Sequence, residues 1–237
     1  MKKAGLLFMA LAFVMHSSAQ VSVGLSSGYT ASNVDVTGET PGDFGSAEGY
    51  MKTFHGWHLD LVVNVPLRNG FYFQPVIRYI TKGTGFKEVP PVKAELLDAL
   101  YIPKGARLQL NYLEIPFNFV YKLAVGPGSV RAGLGPYVAR GLKGRYHYNI
   151  VKNGQNITRT SKSVQFSREA NDNISVVRMY PWDAGANFTL AYEFNNGIML
   201  GANYSMGMMD IDRNEYTQSK NRYLGVSLGF LFNREDY

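Results

Sequence analysis

The sequence predicts an all-β protein, an eight-stranded antiparallel up-and-down β-barrel that crosses a membrane. Three observations predict it. Apolar and polar residues alternate with period two in eight segments. Short and long connections alternate between those segments. Aromatic residues gather at the two ends of the segments.

The chain has 237 residues, with 16 Tyr, 14 Phe and 25 Gly, a composition suited to strands and turns. It has no Cys, which excludes disulfides, thiolate nucleophiles and Cys-based metal sites. Residues 1–19 read as a signal peptide. Lys2 and Lys3 form a basic start, an apolar run spans Ala4 to Met15, and Ser17 and Ala19 supply the small residues before a cleavage point. The apolar run is too short for a spanning helix, which needs about 20 residues. Residues 20–237 then form one barrel domain. Cleavage would lower the net charge of +6 by two, leaving a mild excess that makes nucleic acid a poor partner.

The segments follow in order. Val21, Val23, Leu25 and Tyr29 alternate with Ser22, Gly24, Ser26 and Gly28. Across 57–67, Trp57, Leu59, Leu61, Val63, Val65 and Leu67 alternate with His58, Asp60 and Asn64. Across 71–81, Phe71, Phe73, Ile77 and Tyr79 alternate with Gln74 and Arg78. Leu113, Ile115, Phe117, Phe119 and Tyr121 oppose Glu114, Asn118 and Lys122. Val130, Ala132, Leu134 and Val138 oppose Arg131, Gly133, Gly135 and Tyr137. Trp182, Phe188, Leu190, Tyr192 and Phe194 oppose Asp183, Asn187 and Glu193. The last two apolar faces are Ile198, Leu200, Ala202, Tyr204 and Met206, then Leu224, Val226, Leu228, Phe230 and Phe232. Eight is an even number, as bacterial barrels require.

Arg68-Asn69-Gly70 and Asn195-Asn196-Gly197 suit three-residue hairpin turns with a left-handed glycine last, and 123–129 forms the third short link. The long connections fall at about 30–56, 82–107, 141–179 and 207–222. Short periplasmic turns and long surface loops are the outer-membrane arrangement. In this topology Tyr29, Trp57, Tyr79, Trp182 and Tyr204 mark the loop ends. Phe71, Tyr121, Tyr192, Phe194 and Phe232 mark the turn ends. Two aromatic girdles result. Pro66, Pro75, Pro116 and Pro136 lack a ladder donor and read as bulges or ladder gaps.

The inward set holds Asp60, Arg78, Glu114, Lys122, Arg131, Asp183 and Glu193. Pairing Leu67 with Phe71 across the first short turn sets Asp60 opposite Arg78, a lumen ion pair. An eight-strand interior is narrow enough for such side chains to fill. The alternative is a narrow pore for small solutes.

No catalytic set, metal site or cofactor is expected. His58 and Asp60 share a face near the loop end, so the enzymatic alternative is a hydrolase or acyltransferase at the rim. Residues 140–178 are the most distinctive segment. They carry Arg140, Lys143, Arg145, Lys152, Arg159, Lys162, Arg168 and Arg178 against Glu169 and Asp172. Lys143, Arg145, Tyr146, Tyr148 and Lys152 are the candidate ligand residues, read as lying on a long loop. The expected partners are outer-membrane lipid and an anionic lipid or glycan, because guanidinium and ammonium groups grip phosphate and carboxylate.

The strings NYLEIPFNFVYK at 111–122 and GPGSVRAGLGPY at 126–137 resemble the PorT-type outer-membrane β-barrel family of Bacteroidota. Asp183-Ala184-Gly185 and the C-terminal strand ending at Phe232 are also similar to it. The chain departs from it in a five-residue tail, Asn233 to Tyr237. The resemblance implies a porin-like integral barrel of the cell envelope. Some members support a protein-secretion and gliding system, which adds secretion-complex proteins to the expected partners.

Overall fold

The computed structural model describes residues 21–38, 51–87, 102–152, 155–167, 177–212 and 217–232. The expected signal peptide and the C-terminal tail lie outside the described residues. Ten strands form in chain order. They are β1 (Ser22–Gly38), β2 (Met51–Pro66), β3 (Phe71–Phe86), β4 (Ile102–Val125), β5 (Gly128–Lys152), β6 (Gln155–Phe166), β7 (Val177–Met179), β8 (Trp182–Phe194), β9 (Ile198–Gly207) and β10 (Thr217–Phe232). Strands β1, β2, β3, β4, β5, β8, β9 and β10 close a ring, sealed by the antiparallel pairing of β1 with β10. Closure satisfies every ladder edge, the condition for a sheet to cross lipid.

Alternation sorts the two faces as the sequence requires. Leu25, Leu59, Leu61, Ile77, Leu134, Leu190 and Leu228 are exposed on the outside, while Ser26, Asp60, Arg78, Asn118 and Asn187 are buried inside. The outer girdle is built by contact: Tyr29 is opposite Trp57, whose ring lies 5.4 Å from that of Tyr79. At the turn end, Phe71 meets Tyr121 at 4.9 Å and Phe230 meets Phe232 at 5.0 Å.

The turns are tight because the backbone permits it. Asn69 and Gly70 adopt φ of 54° and 79°, and Gly197 adopts 90°. The link expected at 123–129 shrinks to Gly126 and Pro127, since Val125 already pairs with Gly128. Pro75, Pro116 and Pro136 sit at ladder gaps within strands, whereas Pro66 keeps its place opposite Tyr72 at the end of β2. Pairing is interrupted beside Pro75, and again where Pro136 stands opposite Phe117, with the same register on both sides.

The bounds of the four long connections are corrected. β1 runs to Gly38, β3 to Phe86 and β5 to Lys152, while β4 starts at Ile102 and β10 at Thr217. The largest correction concerns 140–178. It is not one loop: β5 continues through it, β6 pairs back on β5 antiparallel, and β7 pairs with β6 in parallel. Above the girdle the alternation inverts, because lipid no longer lies outside. Ile80, Leu108, Leu110, Tyr112, Val164, Met179 and Ile211 are buried in one apolar cluster that caps the polar lumen.

Candidate functional site

Two constellations stand out, one in the lumen and one on the extension of β4, β5 and β6. In the lumen, Arg78 and Asp60 pair directly across the β2–β3 hairpin. The guanidinium donates from Nε to Oδ1 and from Nη2 to Oδ2, each at 2.8 Å. Its third group, Nη1, donates to the Tyr223 hydroxyl at 2.8 Å, and that hydroxyl donates to Glu114. Such a fork holds the carboxylate in one geometry.

Lys82 is a lumen residue that the sequence pattern does not reveal, as are Asn221 and Tyr223. It is 0% exposed, and its Nζ lies 3.1 Å from Glu114 and 2.9 Å from Asp183. The Tyr112, Tyr137 and Tyr223 rings surround the ammonium at 4.5, 5.4 and 5.5 Å. The Tyr137 hydroxyl and the Asn221 amide donate to Asp183. Nearer the turn end, Glu193 meets Lys122 at 3.3 Å and Arg131 at 3.1 Å. Among the described residues Lys82 completes a balance of four acids and four bases along the lumen: Asp60, Glu114, Asp183 and Glu193 against Arg78, Lys82, Lys122 and Arg131. Between the two groups lies a cavity of about 40 Å³, bordered by Asp60, Arg78, Asn118, Arg131, Asn187 and Asn203.

His58 sits on the same face as Asp60 but is 0% exposed. Its Nδ1 is 2.9 Å from the Thr30 hydroxyl, and its Nε2 is 3.9 Å from Asp60, beyond hydrogen-bond range. Asp60 is already committed to Arg78.

The second constellation depends on one extra residue. Tyr112 is opposite Gly141, yet Asn111 is opposite Lys143, so Leu142 is bulged out of the β4–β5 ladder. A bulge reverses which residues face inward beyond it. Gly141 is inward and buried. Above it, the inward residues are Gly144, Tyr146 and Tyr148, beside Leu108 and Leu110. Lys143, Arg145, His147 and Asn149 turn outward, next to Arg107 and Gln109 of β4 and Arg159 of β6.

The candidate ligand residues are therefore divided. Lys143 and Arg145 share the outer face and are exposed. Tyr146 and Tyr148 lie on the other face with ring centroids 5.6 Å apart, and Tyr146 packs against Phe86 at 6.0 Å. The side chain of Lys152 lies outside the described residues. Arg107, His147 and Arg159 join the outer face. Arg107 falls in a stretch that reads as a loop, so no periodic signal could have marked it.

The outer face holds two clefts. One of about 330 Å³ is bordered by Arg107, Lys143, Arg145 and His147. The next, of about 240 Å³, is bordered by Arg107, His147, Asn149 and Arg159. None of the ion pairs among the described residues engages these arginines or Lys143. Burial first, then the charges of Arg107 and Arg145, holds His147 below the usual histidine range. Burial raises the Tyr146 hydroxyl, with Tyr148 adding to the rise. Among the described residues no carboxylate pairs with these cations in the groove, an arrangement suited to anions.

Three solved structures follow a similar chain course. Ail, the attachment invasion locus protein of Yersinia pestis, is 14% identical, with 90% of this chain and 99% of that one covered at a TM-score of 0.40. Neisserial surface protein A is 9% identical, covering 89% and 97% at 0.42. OprG from Pseudomonas aeruginosa is 11% identical, covering 91% and 97% at 0.43. No curated protein matches the sequence. Residues 16–213, most of the chain, match the family described as outer membrane protein beta-barrel domain. The closed eight-strand ring, its apolar belt and this match together make the chain a member of the outer membrane protein β-barrel domain family, resident in the outer membrane.

Proposed function

We propose that this protein is a closed, non-enzymatic barrel that anchors a binding surface outside the membrane, with anionic envelope groups as its ligands. The observation that carries this reading is the outer face of β4, β5 and β6. Arg107, Lys143, Arg145 and Arg159 line connected clefts there without a carboxylate partner among the described residues. Arginine forks and a lysine point charge are the groups that hold phosphate and carboxylate. The enclosure of His58 and the engagement of Asp60 by Arg78 argue against rim hydrolysis. The packed, charge-balanced lumen beneath an apolar cap argues against a pore.

Within the family, the PorT-type reading adds support of an envelope or secretion complex. The three short motifs behind it sit on neighbouring strands, where Glu114, Tyr137 and Asp183 converge on Lys82. The test is binding of native envelope lipid and glycan extract at low and high salt. Charge reversal by Lys143→Glu with Arg145→Glu should weaken it, and salt should weaken the parent, since exposed charges are screened beyond about 8 Å at physiological ionic strength. Equal binding by parent and double variant at both salts would reject the reading.

A further inference from the structure

The height of the basic face relative to the membrane narrows its ligand. Tyr79, Leu113, Arg140 and Trp182 form one row across β3, β4, β5 and β8. Tyr79 and Trp182 belong to the outer girdle, so this row marks the edge of the hydrocarbon. Arg140 lies there with its guanidinium 5.7 Å from the Trp182 ring. The strand climbs about 3.4 Å per residue. At a tilt of about 35–45°, Lys143, two β4 positions up, stands about 5 Å above the row. Arg145 stands about 10 Å above it, and Arg107 with His147 about 15 Å. The polar layer of one leaflet is about 5–8 Å deep, from the difference between total and hydrocarbon thickness.

All of these residues point away from the barrel axis, Arg140 by the parity of β5 within the barrel, Arg107 by that of β4, and Lys143, Arg145 and His147 because the Leu142 bulge turns them out. Leu142 itself is 50% exposed between Arg140 and Lys143. An apolar side chain at the acyl boundary, with cations directly above it, matches a lipid that carries phosphate on its headgroup. A soluble glycan would need only the upper cations and would gain nothing from Leu142.

We propose that Arg140, Lys143 and Arg145 form a binding site for the headgroup phosphate of an outer-leaflet lipid, with Leu142 against its acyl chains. This rests on the anion-binding reading above and names the anion. Lys143 contributes a point charge at headgroup depth, Arg145, based just above the polar layer, brings its guanidinium fork onto the phosphate from the water side, and Arg140 is held in place by Trp182.

The test uses the full-length protein reconstituted in vesicles containing a monophosphoryl glucosamine-disaccharide lipid or its phosphate-free counterpart. Lipid retained through detergent extraction is counted by native mass spectrometry. The parent should retain the phosphorylated lipid about tenfold more, the ratio expected for loss of one charge-assisted contact. Lys143→Ala with Arg145→Ala should fall to the phosphate-free level. Lys143→Arg should preserve retention, and Arg222→Ala, an exposed cation on β10 paired with Asp35 away from this face, should leave it unchanged. Heat-modified migration on gels confirms that each variant is folded. Equal retention of the two lipids, or an unaffected double variant, overturns the proposal. So does full displacement by millimolar inorganic phosphate, which would indicate a site for free anion. If a sulfated oligosaccharide binds the face and the lipid does not, the lipid site fails while the anion-binding reading stands. If neither binds, both fail.

Discussion

The Phe166 ring lies against Gly141, its ring atoms filling the place where a β-carbon would stand. Gly141 is the last residue of β5 that keeps the barrel's inward parity before the bulge. The ring it admits closes the apolar cap against Tyr112 at 5.5 Å. Gly141→Ala should therefore push Phe166 out and cost about 1–3 kcal/mol, the usual penalty for overpacking. Phe166→Ala should cost about 3–5 kcal/mol by leaving a cavity. The midpoint of the unboiled-to-boiled gel transition measures both, and unchanged midpoints would place Phe166 outside the cap.

The lumen network should resist single changes strongly. Lys82→Met leaves Glu114 and Asp183 without their ammonium and should cost about 3–5 kcal/mol, as removal of one member of a buried ion pair does. Lys82→Met combined with Asp183→Asn should cost less than the sum of the two single changes. A strictly additive double-mutant cycle would mean that the two side chains do not interact in the folded barrel.

Depth sets the cost of charge on the outer surface. Leu61 is on the lipid face near mid-strand, whereas Leu142 is beside the outer girdle. Leu61→Arg should cost about 2–4 kcal/mol and Leu142→Arg about 0–1 kcal/mol. Equal penalties from chemical unfolding in vesicles would move the bulge to a different depth.

Conductance in planar bilayers should be low. The cavity of about 40 Å³ has room for about three waters, and ion-paired side chains lie on both sides of it. Large, stable single-channel steps from the parent protein would be incompatible with the cap and the charge balance.

Anion binding by the outer face should strengthen as pH falls. Burial and the nearby Arg107 and Arg145 hold His147 below its ordinary value, so it is neutral at pH 7. Protonation disfavours the unliganded fold, because the unfolded chain takes up the proton first as pH drops below about 6.5. An anion offsets that repulsion, so affinity rises in the window below the ordinary histidine value. Titration of binding between neutral and mildly acidic pH checks this, and His147→Gln should flatten the profile.

The sequence by itself determined the barrel, its closed strand set and its membrane. Where a strand crosses lipid, one face must be apolar and the other can be polar, so Leu59, Leu61, Asp60 and Arg78 declare their sides by alternation alone. The length of one turn also sets Asp60 beside Arg78. Only the tertiary structure decided what happens beyond Tyr79 and Arg140. There water replaces lipid outside and an apolar cap replaces the polar lumen inside, so the pattern that marks a strand inverts and fades. Lys82 then passes for loop while its ammonium is bound by Glu114 and Asp183 at the outer end of the lumen. Lys143 and Arg145 have the parity of inward residues until the single extra residue at Leu142 turns them out. Period-two reasoning has no means of seeing that residue, because a shift of one position exchanges the faces of everything that follows.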